Sequence, residues 1–283
     1  MDESPWWPSG IVTEDSQDIS SGRIQTVFGT LETWGYQECL TPNWWQKPPE
    51  EGIIWGQWPK VSEIEILHQD RKGYLLRINE KQIARVVPFN LGNDLSRLMH
   101  YSPWSDALKG QMITLPSMVY HVKNNDRVIV YNCSDVAINT EDFDSDKLAA
   151  NLGTIHSALH DFATPNTERR WNDRLKDIES ELKVTTLWRA PHSKYTVGLP
   201  RLNLDLALLC KEQDELLFIA DVRSPVEHLM CHADRLPGLA NLMLIEQQIS
   251  FAKGMDEDDR KSMLEAYLAE APKSYSQKKA VST

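Results

Sequence analysis

The period of the hydrophobic pattern changes once along this chain, and that change restricts the fold more than any other feature. From residue 60 to residue 133 the apolar residues fall in short runs rich in β-branched and aromatic side chains, separated by turn residues. Runs of this kind are typical of strands in a small antiparallel sheet. Two short helices are predicted after the third strand, over 91–100 and near 104–110. The predicted strands cover residues 61–70, 73–79, 81–89, 112–122 and 127–133.

Beyond residue 145 the apolar spacing becomes helical. The clearest helix is predicted over residues 146–162, where apolar residues recur on one face and Ser145 or Asp146 caps the first turn. His156 and His160 lie four residues apart on this helix without an HExxH pattern, so we expect a structural role for them. Further helical segments are predicted over 168–183 and 236–268, the latter interrupted at Lys253-Gly254, and a β-hairpin over 204–221.

This order of elements predicts an α+β protein with two lobes, because βαβ units do not alternate along the chain. A small lobe with a five-stranded antiparallel sheet is followed by a mainly helical lobe that contains one β-hairpin. The predicted boundaries are 60–133 for the small lobe, 134–145 for a polar linker or hinge, 146–272 for the helical lobe and 273–283 for a frayed tail.

Residues 1–59 form an arm rich in tryptophan and proline, with one helix predicted over 21–36. Seven of the ten tryptophans lie in the first 58 residues, and the prolines among them exclude one long helix. Two interpretations remain open. The indole rings pack the arm onto the body, or some of them anchor another protein, since tryptophan is enriched at interface hot spots. The candidate anchors are Trp6, Trp7, Trp44, Trp45, Trp55 and Trp58.

Composition narrows the classes of partner. The formal net charge is −11 and the basic residues form no stripe, so nucleic acid is not expected as a partner. No run of 18 apolar residues occurs, so no membrane span is expected. The start lacks a basic segment followed by an apolar one, and the four cysteines form no CxxC pair. Together these features predict a cytoplasmic protein with buried free thiols.

Several of these segments resemble one known family when they are taken in order. GYLLRIN followed by KQIARVV, then RVIVYNC, then KLAANLGTIHSALHDF, resemble the inner strands, the last strand before the hinge and the long second-lobe helix of a protein-kinase-like fold. The branch they resemble is that of the aminoglycoside phosphotransferases and choline kinases. The resemblance covers about residues 60–270, and its weight comes from order and spacing.

The resemblance implies a set of phosphoryl-transfer residues that this chain only partly carries. A lysine on the third strand holds nucleotide phosphates, a glutamate on the next helix orients it, and an aspartate after the hairpin holds magnesium. Arg85 stands at the lysine position and Asp221, in FIADV, at the metal-binding aspartate. No glutamate occurs between Glu80 and Glu141, so Asp94 is the nearest substitute.

The catalytic loop of the family, HGDLHPGN, corresponds to LPRLNLDL over residues 199–206. In one register Arg201 takes the place of the catalytic aspartate and Leu206 that of the metal-binding asparagine. Arginine cannot act as a base at neutral pH, and leucine cannot bind a metal. In a second register Asp205 takes the catalytic position and Cys210 that of the asparagine.

Three functions follow from these observations. The first is a catalytically degenerate kinase-like protein, a pseudokinase, that needs no cofactor and acts by binding as a scaffold, assembly factor or regulatory subunit. The second is an atypical small-molecule phosphotransferase that uses ATP and Mg²⁺, with Asp205 as base, Asp221 on the metal and Arg85 on the phosphates. The third is an unrelated α+β interaction protein, which a structure without a five-stranded sheet before residue 134 would favour.

Overall fold

A computed structural model describes most of the chain, and the chain divides into two compact units. Unit 1 comprises Met1–Ser102, Thr114–Asp135 and Ala220–Met230, and unit 2 comprises Pro103–Ile113, Val136–Ile219 and Cys231–Thr283. The described residues are 22–26, 29–70, 72–138, 143–165, 173, 176, 197–200, 202–204, 208–212, 215–223 and 235–273.

Strands and helices are numbered in chain order over these residues. The strands are β1 Gly22–Thr26, β2 Gly29–Thr33, β3 Ile53–Gly56, β4 Glu65–Asp70, β5 Gly73–Asn79, β6 Gln82–Val86, β7 Ile113–Thr114, β8 Pro116–Val122, β9 Asn125–Asn132, β10 Asp135–Ile138, β11 Thr164–Pro165, β12 Val197–Pro200, β13 Leu208–Glu212, β14 Glu215–Ile219 and β15 Arg235–Pro237. The helices are α1 Pro42–Trp45, α2 Asp94–His100, α3 Ser102–Leu108, α4 Ser145–Leu159, α5 Gly238–Lys253 and α6 Glu257–Glu270, with short 3-10 turns at Gln37–Leu40 and His160–Phe162.

Unit 1 is built on a six-stranded antiparallel sheet with the order β3-β8-β9-β6-β5-β4. Five of its strands are those predicted from the alternating apolar runs, so the condition that would favour an unrelated fold is not met. The sixth strand, β3, comes from the Trp/Pro-rich arm and was not predicted, because it has only four residues, preceded by one positive-φ glycine and ended by another. Helix α2 packs against β8 and β9.

The predicted helix over 21–36 is wrong. Residues 22–26 and 29–33 form the antiparallel strands β1 and β2, and irregular chain leads from β2 to the 3-10 turn. The segment contains three Thr, one Ile and one Val, residues that favour strands, and its apolar spacing fits either period. Backbone hydrogen bonds attach the end of this hairpin to residues 88–90, with Trp34 N donating to Pro88 O at 3.1 Å.

The arm packs onto one face of the six-stranded sheet. Tyr36, Cys39 and Trp45 belong to one buried cluster with apolar residues of β5, β6, β8 and β9. The rings of Trp44, Trp45 and Trp58 lie in mutual contact, with centroids 5.0 to 5.5 Å apart. The packing interpretation therefore describes these three tryptophans. Trp6 and Trp7 lie outside the described residues.

Unit 2 combines helices with two small sheets, in the orders β10-β13-β14-β7 and β11-β12-β15. The predicted hairpin is confirmed as β13 and β14. Within the predicted linker over 134–145, residues 135–138 form strand β10. The α+β class with antiparallel sheets is confirmed.

The helical predictions in unit 2 are confirmed where the chain is described. The helix predicted over 146–162 is α4 with its 3-10 extension, and the predicted break falls between α5 and α6. The predicted cap at Ser145 or Asp146 is wrong, because Asp144 accepts the hydrogen bonds from the backbone N–H groups of Asp146 and Lys147. The helix predicted over 168–183 lies almost entirely outside the described residues. Among the helices that the structure describes, none combines the length and the hydropathy that a membrane span requires.

The cysteines differ from the expectation of four free thiols. Cys39 is free and buried, and burial raises the pKa of its thiol far above the ordinary value. Cys133 and Cys210 are disulfide-bonded, so the expectation is wrong for these two residues. Isolated sequence positions carry no signal for a disulfide, because pairing depends on which residues the fold brings together.

Candidate functional site

The candidate site of unit 1 begins at the tight turn between β4 and β5. Asp70 Oδ1 accepts hydrogen bonds from the backbone N–H groups of Lys72 at 2.8 Å and Gly73 at 3.2 Å. Gly73 has φ +137°, and a Cβ there would lie 1.9 Å from Val86 O, so this position requires glycine. The turn fixes the backbone of Lys72, whose side chain is buried.

Arg85 provides a second buried cation from β6. Its neighbours Ala84 and Val86 belong to the cluster under the arm, so the alternation of a strand places Arg85 on the opposite face of the sheet. Arg85 Nη1 lies 2.9 Å from Asp70 Oδ1, and Nη2 lies 2.8 Å from Asp221 Oδ2. Arg85 therefore bridges two carboxylates.

Asp221 receives both cations on one oxygen. Lys72 Nζ lies 3.2 Å from the same Oδ2 that Arg85 contacts, while Oδ1 accepts a hydrogen bond from Val222 N at 2.8 Å. Burial by itself would raise the pKa of Asp221, but Arg85 and then Lys72 outweigh burial and hold that pKa below its ordinary value. Burial would likewise lower the pKa of Arg85, yet Asp221 and Asp70 raise it above its ordinary value. Arg85 and Asp221 are therefore both charged at neutral pH.

The segment around Asp221 is attached to unit 1 by further bonds. Ala220 N donates to Thr114 O at 3.0 Å, and Tyr131 Oη donates to Ala220 O at 2.9 Å. Burial, followed by the nearby charge of Asp221, raises the pKa of Tyr131 well above its ordinary value, so this phenol stays protonated.

Asp94, the nearest substitute for the missing glutamate, pairs with a different arginine. Arg223 Nε lies 2.7 Å and Arg223 Nη2 2.6 Å from Asp94 Oδ2. Helix α2 is itself held by Asp126, which accepts from the backbone N–H groups of Leu95 and Ser96. The acidic residue of α2 therefore anchors the 220–223 segment through Arg223, two residues after Asp221.

The structure brings together two of the predicted site residues, Arg85 and Asp221. Arg201, Asp205 and Leu206 lie outside the described residues, so both registers of the predicted catalytic loop stay predictions. Sequence reasoning missed Lys72 and Arg223. Lys72 could have been suspected because it stands beside a glycine in the first hairpin turn of the sheet. Arg223 could have been suspected because it follows Asp221 by two residues.

The donor set around Asp221 fits a magnesium ion poorly. Magnesium takes six oxygen ligands in near-octahedral geometry at 2.0–2.1 Å. Both oxygens of Asp221 already accept hydrogen bonds, and Asp70, the other carboxylate of the site, is held by Arg85 and two backbone N–H groups. Across the described residues, no group of three His, Cys, Asp or Glu side chains is placed to hold a metal ion.

The arrangement fits an anionic oxygen better than it fits a metal. Within the described structure, Arg85 Nε is buried and makes no hydrogen bond. A buried donor without a partner is costly. The two cations converge on one carboxylate oxygen, and a phosphate oxygen offers the same chemistry as that oxygen.

Comparisons with known proteins give resemblances at low sequence identity. No protein-family model matches the chain, and no curated protein matches its sequence. A solved glucosamine kinase in complex with glucosamine, ADP and inorganic phosphate aligns with a TM-score of 0.49 and 11% identity, over 95% of this chain and 86% of that one. Another crystal form of glucosamine kinase aligns with a TM-score of 0.48 and 11% identity, over 90% of this chain and 79% of that one.

The GDP and kanamycin complex of APH(2")-IIia aligns with a TM-score of 0.42 and 12% identity, over 74% of this chain and 83% of that one. All these TM-scores lie below 0.5. The likenesses are therefore findings of resemblance and carry no conclusion about what this chain does.

Proposed function

We propose that this chain is a kinase-like protein that acts by binding, as a scaffold, assembly factor or regulatory subunit, and does not transfer a phosphoryl group. The observation that carries the proposal is the state of Asp221, whose Oδ2 accepts from both Lys72 and Arg85 while Oδ1 accepts from Val222 N. Phosphoryl transfer requires that carboxylate for magnesium. Here it serves as the centre of a buried charge cluster.

Two further observations support the same conclusion. Arginine at position 85 keeps the positive charge but is committed to two carboxylates in a fixed bridge. Asp94 is paired with Arg223 and not with Arg85, so the ion pair that orients the third-strand cation in kinases has no counterpart between these residues. The charged groups of the site hold the 220–223 segment in place.

The direct test is a phosphoryl-transfer assay on the full chain with Mg²⁺ and γ-labelled ATP. Glucosamine and kanamycin serve as acceptor probes, and release of ADP is followed in parallel. We expect no label in any acceptor and no ADP above the background of a protein-free reaction. Magnesium-dependent transfer by the wild-type chain that disappears in Asp221→Asn would overturn the proposal.

An active phosphotransferase remains the second candidate, because Lys72 offers the lysine that position 85 lacks. In this alternative Lys72 and Arg85 bind phosphate oxygens, Asp221 moves to the metal and Asp205 acts as base. The unpartnered Nε of Arg85 in the described structure favours such an anionic ligand. A thermal-shift titration with millimolar ATP and Mg²⁺ separates the candidates. The active enzyme requires a rise in Tm that is lost in Lys72→Met, and a flat response excludes it.

A protein partner that binds through the arm is part of the same proposal. Trp45 is not available for it, since the side chain is 1% exposed and lies in the core of unit 1. Trp55 lies on the edge strand β3 and is half-buried, with its ring centroid 4.6 Å from that of His100. Partner capture by the wild-type chain and by Trp55→Ala, compared at equal amounts of folded protein, tests this surface. Unchanged capture would exclude Trp55 as an anchor.

A further inference from the structure

A cation of the chain itself neutralises Asp221. The kinase resemblance implies a divalent metal at this aspartate, but the position on Oδ2 is taken by Lys72 Nζ at 3.2 Å, beside Arg85 Nη2 at 2.8 Å. Lys72, Arg85 and Asp221 are all nearly inaccessible to solvent, with side-chain exposures of 8%, 1% and 4%. The positive charge that neutralises Asp221 is therefore carried by side chains of the protein itself.

The charges of the cluster already balance. Lys72 and Arg85 carry two positive charges, and Asp70 and Asp221 carry two negative charges. A divalent ion added to this buried set would bring two uncompensated positive charges close to two existing cations. Repulsion between like charges at such distances is strong where water is excluded. The cluster is complete without a metal and disfavours one.

The position of Lys72 is built into the turn. Asp70 Oδ1 holds the backbone N–H of Lys72, and Gly73 allows β5 to approach Val86 O at a distance that no other residue permits. The aspartate that receives the cation is also fixed, since its Oδ1 accepts from Val222 N. Both partners of the contact are therefore positioned by backbone hydrogen bonds.

We propose that Lys72 is a built-in replacement for the divalent metal at Asp221, which makes this site independent of metal ions. The proposal deepens the function proposed above and rests on it, because it names what occupies the metal position of the non-transferring protein. It predicts that removal of the lysine side chain, with the carboxylate left in place, creates a metal response that the wild-type chain lacks.

The test uses Mn²⁺ as the probe, followed by electron paramagnetic resonance and by thermal shift, on the full chain with and without ADP. For the wild-type chain we expect no Mn²⁺ binding that depends on Asp221 and no change in Tm between Mn²⁺ and EDTA. For Lys72→Met we expect affinity for Mn²⁺ to rise about tenfold or more, because a nearby like charge is gone. Lys72→Met combined with Asp221→Asn should lose that gain.

Lys81 provides a matched control. It lies in the turn between β5 and β6, where its backbone N–H donates to Asn79 Oδ1 at 3.1 Å, as that of Lys72 donates to Asp70. Its side chain is exposed. Lys81→Met removes the same side chain from the same kind of turn and should leave the Mn²⁺ response unchanged.

Two results would contradict the inference. One is Mn²⁺ binding by the wild-type chain that Asp221→Asn abolishes, a measurement that requires no destabilised variant. The other is a folded Lys72→Met protein without any gain in Mn²⁺ affinity. Phosphoryl transfer from ATP would instead contradict the proposed function. The transfer assay and the Mn²⁺ titration therefore distinguish the failure of one from the failure of the other.

Discussion

Arg85 Nη2 and Asp221 Oδ2 lie 2.8 Å apart although 136 residues separate them in the sequence. The contact joins β6 to the segment that follows β14 within unit 1, and both side chains are buried. Burying an ion pair costs solvation free energy that the attraction between the two charges only partly offsets. The largest loss of stability is therefore expected when one member is removed and the other stays buried without its partner.

Arg85→Met should destabilise unit 1 by about 3 kcal/mol or more, because Asp221 and Asp70 lose a shared cation in a buried site. Urea denaturation followed by tryptophan fluorescence measures the loss. Arg85→Lys keeps the charge but cannot bridge both carboxylates, so its loss should be smaller. Arg77→Met is the control. Arg77 pairs with the exposed Glu65, so its substitution should lower the free energy of unfolding by about 1 kcal/mol or less. Equal losses for Arg85→Met and Arg77→Met would contradict the structural role of Arg85.

Asp94 and Arg223 should be energetically coupled. Their side-chain atoms lie 2.6 Å apart and Arg223 is nearly buried, so each single substitution leaves a partly buried charge without its partner. In a double-mutant cycle with Asp94→Asn and Arg223→Gln we expect a coupling free energy of about 1–3 kcal/mol. The free energy of unfolding of the four proteins gives the value. Additive effects within error would show that α2 does not anchor the 220–223 segment through this pair.

The sequence predicted the elements of unit 1 well where the pattern was long and regular. Strands β5, β6, β8 and β9 are each at least five residues long and carry β-branched or aromatic residues, and the sheet follows from them. The hairpin at residues 22–33 was mistaken for a helix because its apolar positions fit two periods. Directly after the hairpin, Trp34 N donates a backbone hydrogen bond to Pro88 O. The local sequence pattern does not record this long-range bond, which accompanies the extended form.

The site was predictable in part for a different reason. Arg85 and Asp221 follow from the order of the strands, since the resemblance assigns each a place in that order. Lys72 and Arg223 have no such assignment, and their partners Asp221 and Asp94 are 149 and 129 residues away. Ion pairs at such separations depend on tertiary placement, which neither composition nor spacing records.

Trp45→Ala should destabilise unit 1 by about 3–5 kcal/mol, because a large buried side chain leaves a cavity. The substitution also removes the indole hydrogen bond from Trp45 Nε1 to Cys39 O, which is 2.9 Å long. Trp55→Ala makes the same change of side chain and serves as the control. Trp55 is half-buried on an edge strand, so this substitution should cost clearly less stability. Urea denaturation by circular dichroism avoids the loss of fluorescence signal. Equal costs would mean that the arm does not depend on Trp45 for its packing.

His156 should make the stability of unit 2 depend on pH. The imidazole is buried between α4 and α6 with Nδ1 2.7 Å from Tyr267 Oη, and burial lowers its pKa to about 4, although a hydrogen bond with Asn241 partly opposes this. An unfolded histidine has a pKa near 6.5, so the unfolded state binds the proton first as the pH falls. The stability present above about pH 6.5 is therefore lost progressively down to about pH 4, by about 3 kcal/mol in total.

The unfolding free energy of the wild-type chain, measured at a series of pH values from neutral to mildly acidic, should fall over that window. His156→Gln lacks the titratable imidazole. Its unfolding free energy should therefore change much less with pH over the same window, whatever its stability at neutral pH. Asp221 does not produce the same trend, because its pKa is lowered on folding and its contribution is lost only below about pH 4. A wild-type profile that parallels that of His156→Gln would show that His156 is not held neutral in the folded protein.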